Sequence, residues 1–307
     1  MRTAIVTGSN GQDGTYLSAH LTKLGYRVIG VLRDSPPVDL ERIPADELYH
    51  LAACHHSSQE KLTDDLHVFH ESHAVHVEMT ARLLDAIRRH RPATKLFYAA
   101  SCHLFGTPAT PTQDETTPMN PEGLYGITKL AGLQLCRYYR RQHGVFASAG
   151  ILYNHESPLR RSYFVSKKIV EAAVAIRLDQ EQKLMLGDLD SEIDLGYAGD
   201  YVVAMWQVLQ LTEPGDFVIS SGEKHSVREF VEEAFRLVSL DWKQYVEIDP
   251  NVLRNQQRVS LFGSPAKLTR LTGWKPTTSF RELVKIMVTA ELQKHERTEN
   301  PAVHSHV

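Results

Sequence analysis

The chain has 307 residues, 42% hydrophobic and 23% charged, with 34 basic against 37 acidic side chains and a net charge of −3. This is an ordinary soluble globular composition, long enough for one large domain or two modest ones, and it argues against a broadly basic nucleic-acid binder. Three cysteines (Cys54, Cys102, Cys136) form neither a disulfide framework nor a zinc-ligand spacing, no apolar run reaches the length of a membrane span, and the N-terminus opens into a strand pattern without a signal-peptide layout, so a reducing cytoplasm is expected.

Residues 3–7 predict a short buried strand. Gly8, Gly11 and Gly14 follow it, then a helical pattern over 15–24 that Gly25 ends. Further strands are expected over 27–32 and 48–53, a helix over 74–90 with Val75, Met79, Leu83, Leu84 and Ile87 as its apolar positions, and a strand over 95–100. A long helix over 124–143 and a strand over 145–153 complete a βαβ series. Beyond residue 153 the reading gives helices over 164–178, 227–238 and 280–295, a strand over 217–220, and mixed signals over 239–265. The expected fold class is α/β: a Rossmann-type doubly wound parallel sheet, with a smaller α/β C-terminal substrate lobe. The first domain is expected to take residues 1–153 plus parts of 154–220, the smaller lobe mainly 154–295, and a fraying polar tail 296–307.

The stretch Thr7-Gly8-Ser9-Asn10-Gly11-Gln12-Asp13-Gly14 stands between a strand and a helix. Its glycines permit a tight turn and close approach of backbone to a pyrophosphate, and the helix N-terminus adds free N–H groups and a positive dipole end. The second strand runs out at Arg33, 19 residues after Gly14. A guanidinium there suits the 2′-phosphate of NADP, whereas an acidic residue suits NAD; the adjacent Asp34 leaves NAD as the alternative.

Tyr125 and Lys129 stand one helical turn apart, where an ammonium would lower the phenol's pKa enough for it to act as a base. Ser101 ends the preceding strand. This order of serine, tyrosine and lysine resembles the extended short-chain dehydrogenases/reductases. The stretches TGSNGQDGTYL (7–17), LYHLAA (48–53), GILYNHESPLRR (150–161), FVSKKI (164–169), the run over 186–206, SGEKHSVREFV (221–231) and GWKP (273–276) are similar to the GDP-mannose 4,6-dehydratase family in particular. The resemblance implies that Tyr125 takes the proton of the sugar 4-OH while hydride leaves C4, that Lys129 holds the nicotinamide ribose, and that Ser101 bonds the 4-oxygen. The 4-keto group then acidifies C5, water leaves from C6, and the hydride returns there. It further implies that Asn10, Gln12, Asp13, Leu51, Ala52 and Ala53 face the cofactor, with Asp39 near its adenine, and that Asn154, Glu156, Val165 and Lys168 hold a GDP-linked sugar.

The chain departs from that family in three places. His103 stands where the family has the glutamate that removes the C5 proton, and an imidazole is a competent acid–base there. From Arg33 the chain reaches Leu48 in 15 residues where the family uses several tens more, so a helix and most of a strand are expected to be missing, and a homodimer rather than a tetramer is expected. Asp188 replaces the family's asparagine, Ile193 its phosphate-binding arginine, and Arg258 its glutamate. The leading expectation is an NADP-dependent sugar-nucleotide dehydratase without a metal. A sugar-nucleotide epimerase using Tyr125 with His103 or Cys102, and a non-catalytic sugar-nucleotide-binding homologue, are the alternatives. The histidines at 67, 70, 73 and 76 read as a partly exposed or interface helix rather than a metal stripe.

Overall fold

The computed structural model describes residues 1–33, 35, 42, 44–54, 64–249 and 261–299. The first strand, β1 (Thr3–Thr7), is apolar and buried along nearly its whole length, as a strand covered on both faces must be. It leads into α1 (Gln12–Lys23), β2 (Arg27–Val31) and β3 (Glu47–His50). A continuous helical run follows: α2 (Asp65–His73), a π-helical turn (Ala74–Met79) and α3 (Thr80–His90). Next come β4 (Lys95–Ser101), a 3₁₀ turn (Cys102–Phe105), α4 (Leu124–His143) and β5 (Ala147–Leu152).

The second half supplies β6 (Asn154–Glu156), α5 (Val165–Arg177), β7 (Leu184–Leu186), β8 (Glu192–Tyr197), α6 (Ala198–Gln210) and β9 (Asp216–Ile219). It closes with β10 (Lys224–Ser226), α7 (Val227–Leu237), a 3₁₀ turn (Trp242–Gln244), β11 (Val246–Ile248), α8 (Ala266–Thr272) and α9 (Phe280–Glu299). A capping box starts α7: the Ser226 hydroxyl accepts from the Glu229 N–H, and the Glu229 carboxylate accepts from the Ser226 N–H.

Six strands form one parallel sheet in the order β2-β1-β3-β4-β5-β9. Leu83, Leu84 and Ile87 of α3 and Leu133 and Cys136 of α4 cover one face. Leu17 and Leu21 of α1, Val202 and Met205 of α6 and Leu268 of α8 cover the other. Both faces are thus wrapped by helices, which is the doubly wound arrangement. A separate core joins α5, α7 and α9 through Val170, Phe230, Phe235 and Val284. Beside it lie a three-stranded sheet, β10-β8-β6, and the pair β11-β7.

The third sequence strand ends at His50 rather than residue 53, where its ladder pairing to β1 and β4 stops. The helical run starts at Asp65, nine residues before the periodic pattern. Of α2 only Val68 and Ser72 are buried, so no apolar stripe announces it. The last helix continues to Glu299, past the expected end at residue 295. With only the short link between β2 and β3, β2 lies at the sheet edge and is the least buried of the six strands. Asp34, Asp39 and Arg258, which carried sequence expectations, lie outside the described residues.

Candidate active site

The carboxyl ends of the parallel strands open into a cavity of about 430 Å³, within the roughly 300–1,000 Å³ of small-molecule sites. The loop after β1, the ends of β3, β4 and β5, the first turns of α4, and the Leu159–Phe164 segment wall it. Gly8, Asn10, Gly11, Gln12, Asp13 and Gly14 all line it. A Cβ on Gly14 would stand 2.2 Å from the Gly8 carbonyl oxygen and 2.6 Å from the Ser9 Cα. The helix therefore seats on the loop only through glycine, which brings its unpaired first-turn N–H groups to the cavity. Gly14→Ala is expected to destabilise the protein by about 3 kcal/mol, the upper range for forced overpacking, and to abolish dinucleotide binding. Thermal unfolding and a cofactor titration check both.

Leu51 and Ala53 line the cavity, and the Ala52 N–H donates to the Thr7 hydroxyl (3.2 Å) instead. Arg33 is not among the lining residues. Its guanidinium donates to Glu71 on α2 (2.9 Å), an acidic partner that the sequence spacing did not reveal.

Ser101, His103, Tyr125 and Lys129 converge on the opposite wall. Ser101 caps the 3₁₀ turn, its hydroxyl accepting from the His103 N–H (3.3 Å). A Cβ on Gly126 would lie 2.6 Å from the His103 carbonyl oxygen, so glycine lets α4 close on this turn. The Tyr125 ring stands between two histidines, edge-on to His103 (5.9 Å between centroids, 86°) and to His76 (5.3 Å, 86°).

Burial pushes the Tyr125 phenol well above its ordinary value, while a hydrogen bond with Ser101 pulls it down. The net shift is upward, opposite to the lowering by Lys129 that the sequence spacing predicted. The Lys129 Nζ donates to the Ala99 carbonyl (2.8 Å), 5.7 Å from the Tyr125 ring centre, and burial itself lowers this amine to about 7. Between that value and its ordinary 10.5 the unfolded chain binds a proton that the fold does not, so stability rises with pH through that window. Lys129→Met is therefore expected to stabilise the ligand-free protein by roughly 3 kcal/mol near about pH 6, a gain that fades toward about pH 10. Unfolding curves at the two pH values measure it.

His103 is exposed to the cavity yet flanked by its walls, and partial desolvation lowers its pKa, so it stands as a neutral imidazole. Cys102 packs into the core below, where burial pushes its thiol up to about 12. A thiol held protonated at neutral pH cannot take up a proton, whereas a neutral imidazole can, so the site offers His103 and not Cys102 as the base.

Of the sequence-derived nucleotide contacts, Asn154 lines the cavity. Glu156 is spent elsewhere: its carboxylate accepts from the Ser166 hydroxyl and pairs with Arg160 (3.1 Å), bracing β6 to α5. Val165 begins α5, Lys168 donates to the Met185 carbonyl (2.9 Å), and Asp188 accepts from the Asp190 N–H (3.0 Å); none of the three lines the cavity. Sequence reasoning missed His155, Arg160, Arg161 and Tyr163, which do line it. For His155, Arg160 and Arg161 the signal was the stretch GILYNHESPLRR (150–161), read there only for its resemblance; Tyr163 lies beyond it.

Known proteins are similar to this chain over most of its length. The family model described as GDP-mannose 4,6 dehydratase matches residues 39–287. The chain is similar to GDP-mannose 4,6 dehydratase 1 of Arabidopsis thaliana, 36% identical over 335 residues, covering 96% of this chain and 91% of that protein. It is similar to the Homo sapiens GDP-mannose 4,6 dehydratase at 34% identity, covering 94% of this chain and 91% of the relative. Among solved structures, RMD from Pseudomonas aeruginosa complexed with NADPH shares the fold with a TM-score of 0.83 at 22% identity, over 96% of this chain and 100% of that one. The dTDP-glucose 4,6-dehydratase of Bacillus anthracis in complex with NAD does so with 0.80 at 16%, over 96% and 98%.

Proposed function

The chain belongs to the GDP-mannose 4,6-dehydratase family and is a sugar-nucleotide dehydratase; from that premise we propose that it removes water across C5 and C6 of a GDP-linked hexose, with GDP-mannose the first candidate. The observation that carries the finer reading is the convergence of Ser101, Tyr125, Lys129 and His103 opposite the glycine loop of one cavity. The glycine cradle fits a dinucleotide, because its loop accepts no Cβ at Gly14 and presents helix N–H groups. NADP is the cofactor this reading assigns, in keeping with the NADPH and NAD found in proteins of the same fold. When bound, it supplies the acceptor and later the donor of hydride.

The chain's own groups carry the protons. Ser101 donates a hydrogen bond to the sugar 4-oxygen, and Tyr125 receives the 4-OH proton; the product keeps its 4-keto group, so this proton passes to solvent, and C5 takes up one solvent-exchanged proton in its place when C6 is reduced. Lys129 has to gain charge for that task, which a ribose hydroxyl beside Nζ would favour. His103, neutral at rest, takes the C5 proton and delivers it to the departing 6-OH as water, so the imidazole ends the cycle as it began. The epimerase alternative rests on the same residue paired with Tyr125: with His103 taking the C5 proton from one face and Tyr125 giving one to the other, the carbon inverts instead.

Support for a homodimer comes from the outer face of the α2–α4 helix pair, where Leu66, Ile127 and Tyr138 are 64%, 43% and 49% exposed. A cytoplasmic site of action fits three free thiols. Among the described residues no helix is long and apolar enough to cross a membrane.

Mass spectrometry of GDP-mannose incubated with the protein and NADP⁺ in D₂O tests the proposal. Loss of water with deuterium gained at C5 is expected. Deuterium without water loss would replace it by epimerisation, and an unchanged sugar would reject GDP-mannose as substrate.

A further inference from the structure

Asp13 sits in the first turn of α1, where the phosphates of a dinucleotide would also lie. A bare carboxylate there would repel them. Its two oxygens each stand 2.9 Å from the His155 Nε2, 142 residues along the chain. The other ring nitrogen, Nδ1, lies 2.7 Å from the Tyr153 carbonyl oxygen. A carbonyl can only accept, so Nδ1 carries a proton; a carboxylate facing Nε2 makes the second nitrogen a donor as well. The ring is nearly flat against Tyr201 of α6 (4.7 Å, 28°), which fixes its plane.

The same two segments are fastened a second time. The Gln12 amide donates to the His155 carbonyl (3.0 Å), and its oxygen accepts from the Ser157 hydroxyl (2.8 Å). The charges facing the pair come from two further elements: Arg160 after β6, and on α4 Lys129 together with Tyr125 when ionised. Asp13 raises His155 and His155 lowers Asp13, although burial opposes both charges, so the two stay ionised together.

Resting on the cofactor reading above, we infer that the His155 imidazolium cancels the Asp13 carboxylate beside the phosphate cradle, making His155 a positioning residue for dinucleotide binding. The pair also ties the phosphate loop to the segment that opens the substrate lobe, alongside the Gln12 bonds to His155 and Ser157.

The test is calorimetric titration of NADP⁺ into the wild-type protein, His155→Gln, and the double variant Asp13→Asn/His155→Gln. His155→Gln leaves the carboxylate uncompensated and is expected to weaken binding about 30-fold or more, as truncation of one partner of a buried charge pair does. The double variant removes the charge that needed cancelling and is expected to recover about tenfold of that loss. A purely structural pair would give the opposite order, with the double variant no better than the single one, and that result would overturn the inference. So would a His155→Gln affinity equal to wild type. Ring-nitrogen NMR of histidine-labelled wild-type protein needs no substitution: both His155 nitrogens protonated at neutral pH is expected, and one bare nitrogen rejects the ion pair. Wild-type protein that binds neither NADP⁺ nor NAD⁺ would overturn the cofactor reading itself, and this inference with it.

Discussion

Tyr125→Phe is expected to lower kcat by roughly 10²–10⁴-fold, the range for loss of a positioned acid–base, while leaving the fold and nucleotide binding intact. The argument is geometric. The Tyr125 ring is gripped by the edges and faces of His76 and His103, and phenylalanine keeps those ring contacts. What disappears is the hydroxyl that interacts with Ser101. Turnover by mass spectrometry, with unfolding temperature and NADP⁺ affinity as controls, measures it. A variant keeping more than a tenth of the wild-type rate would remove Tyr125 from the chemistry.

His103→Ala is expected to separate the two halves of the reaction. Oxidation at C4 needs Tyr125 and Ser101 and should continue, so reduced cofactor should build up. Removal of the C5 proton should fall by roughly 10²–10⁴-fold, seen as loss of deuterium incorporation at C5. The wild-type rate should also drop on the acid side, below the depressed pKa of His103, where the imidazole becomes charged and can no longer accept a proton. His103→Glu should restore part of the dehydration, since a carboxylate at the same turn can take the same proton. Dehydration at wild-type speed in His103→Ala would assign the C5 proton to another group.

Much of this was legible in the sequence where local rules decide the structure. The α4 helix runs from Leu124 to His143, as read, because Gly123 stands before it and Gly144, in the left-handed conformation, ends it. The β1–loop–α1 unit was legible for the same reason: Gly11 and Gly14 are forced by contacts with Gly8 and Ser9, a few residues away. Contacts made across the chain were not legible. His155 finds Asp13 at a separation of 142 residues, and no periodicity encodes that. The π-turn over Ala74–Met79 left no trace in the apolar pattern, yet it brings His76 inward, where it accepts the Cys54 N–H (3.1 Å) and contacts Thr128 (2.9 Å). Glu156 was misjudged because it sits between two residues of a real motif, and only the position of Arg160 and Ser166 decides where its carboxylate points. The all-round apolar α6 lacked a period because it buries Ala198, Tyr201, Val202, Met205 and Val208 together against the sheet.

The chain leaves the large sheet after β5, builds part of the lobe, and comes back as β9, whose Asp216 grips Arg137 (2.6 Å) and Arg140 (2.8 Å) of α4. This interleaving makes the two halves one cooperative unit. Heat should unfold them in a single calorimetric transition, and a ligand bound to either half should protect both from proteolysis. A chain cut after Tyr153 would lose α6 and β9 as well as the lobe, exposing the face of the sheet that Met205, Val208 and Leu209 cover, and should aggregate rather than persist as a free nucleotide-binding domain.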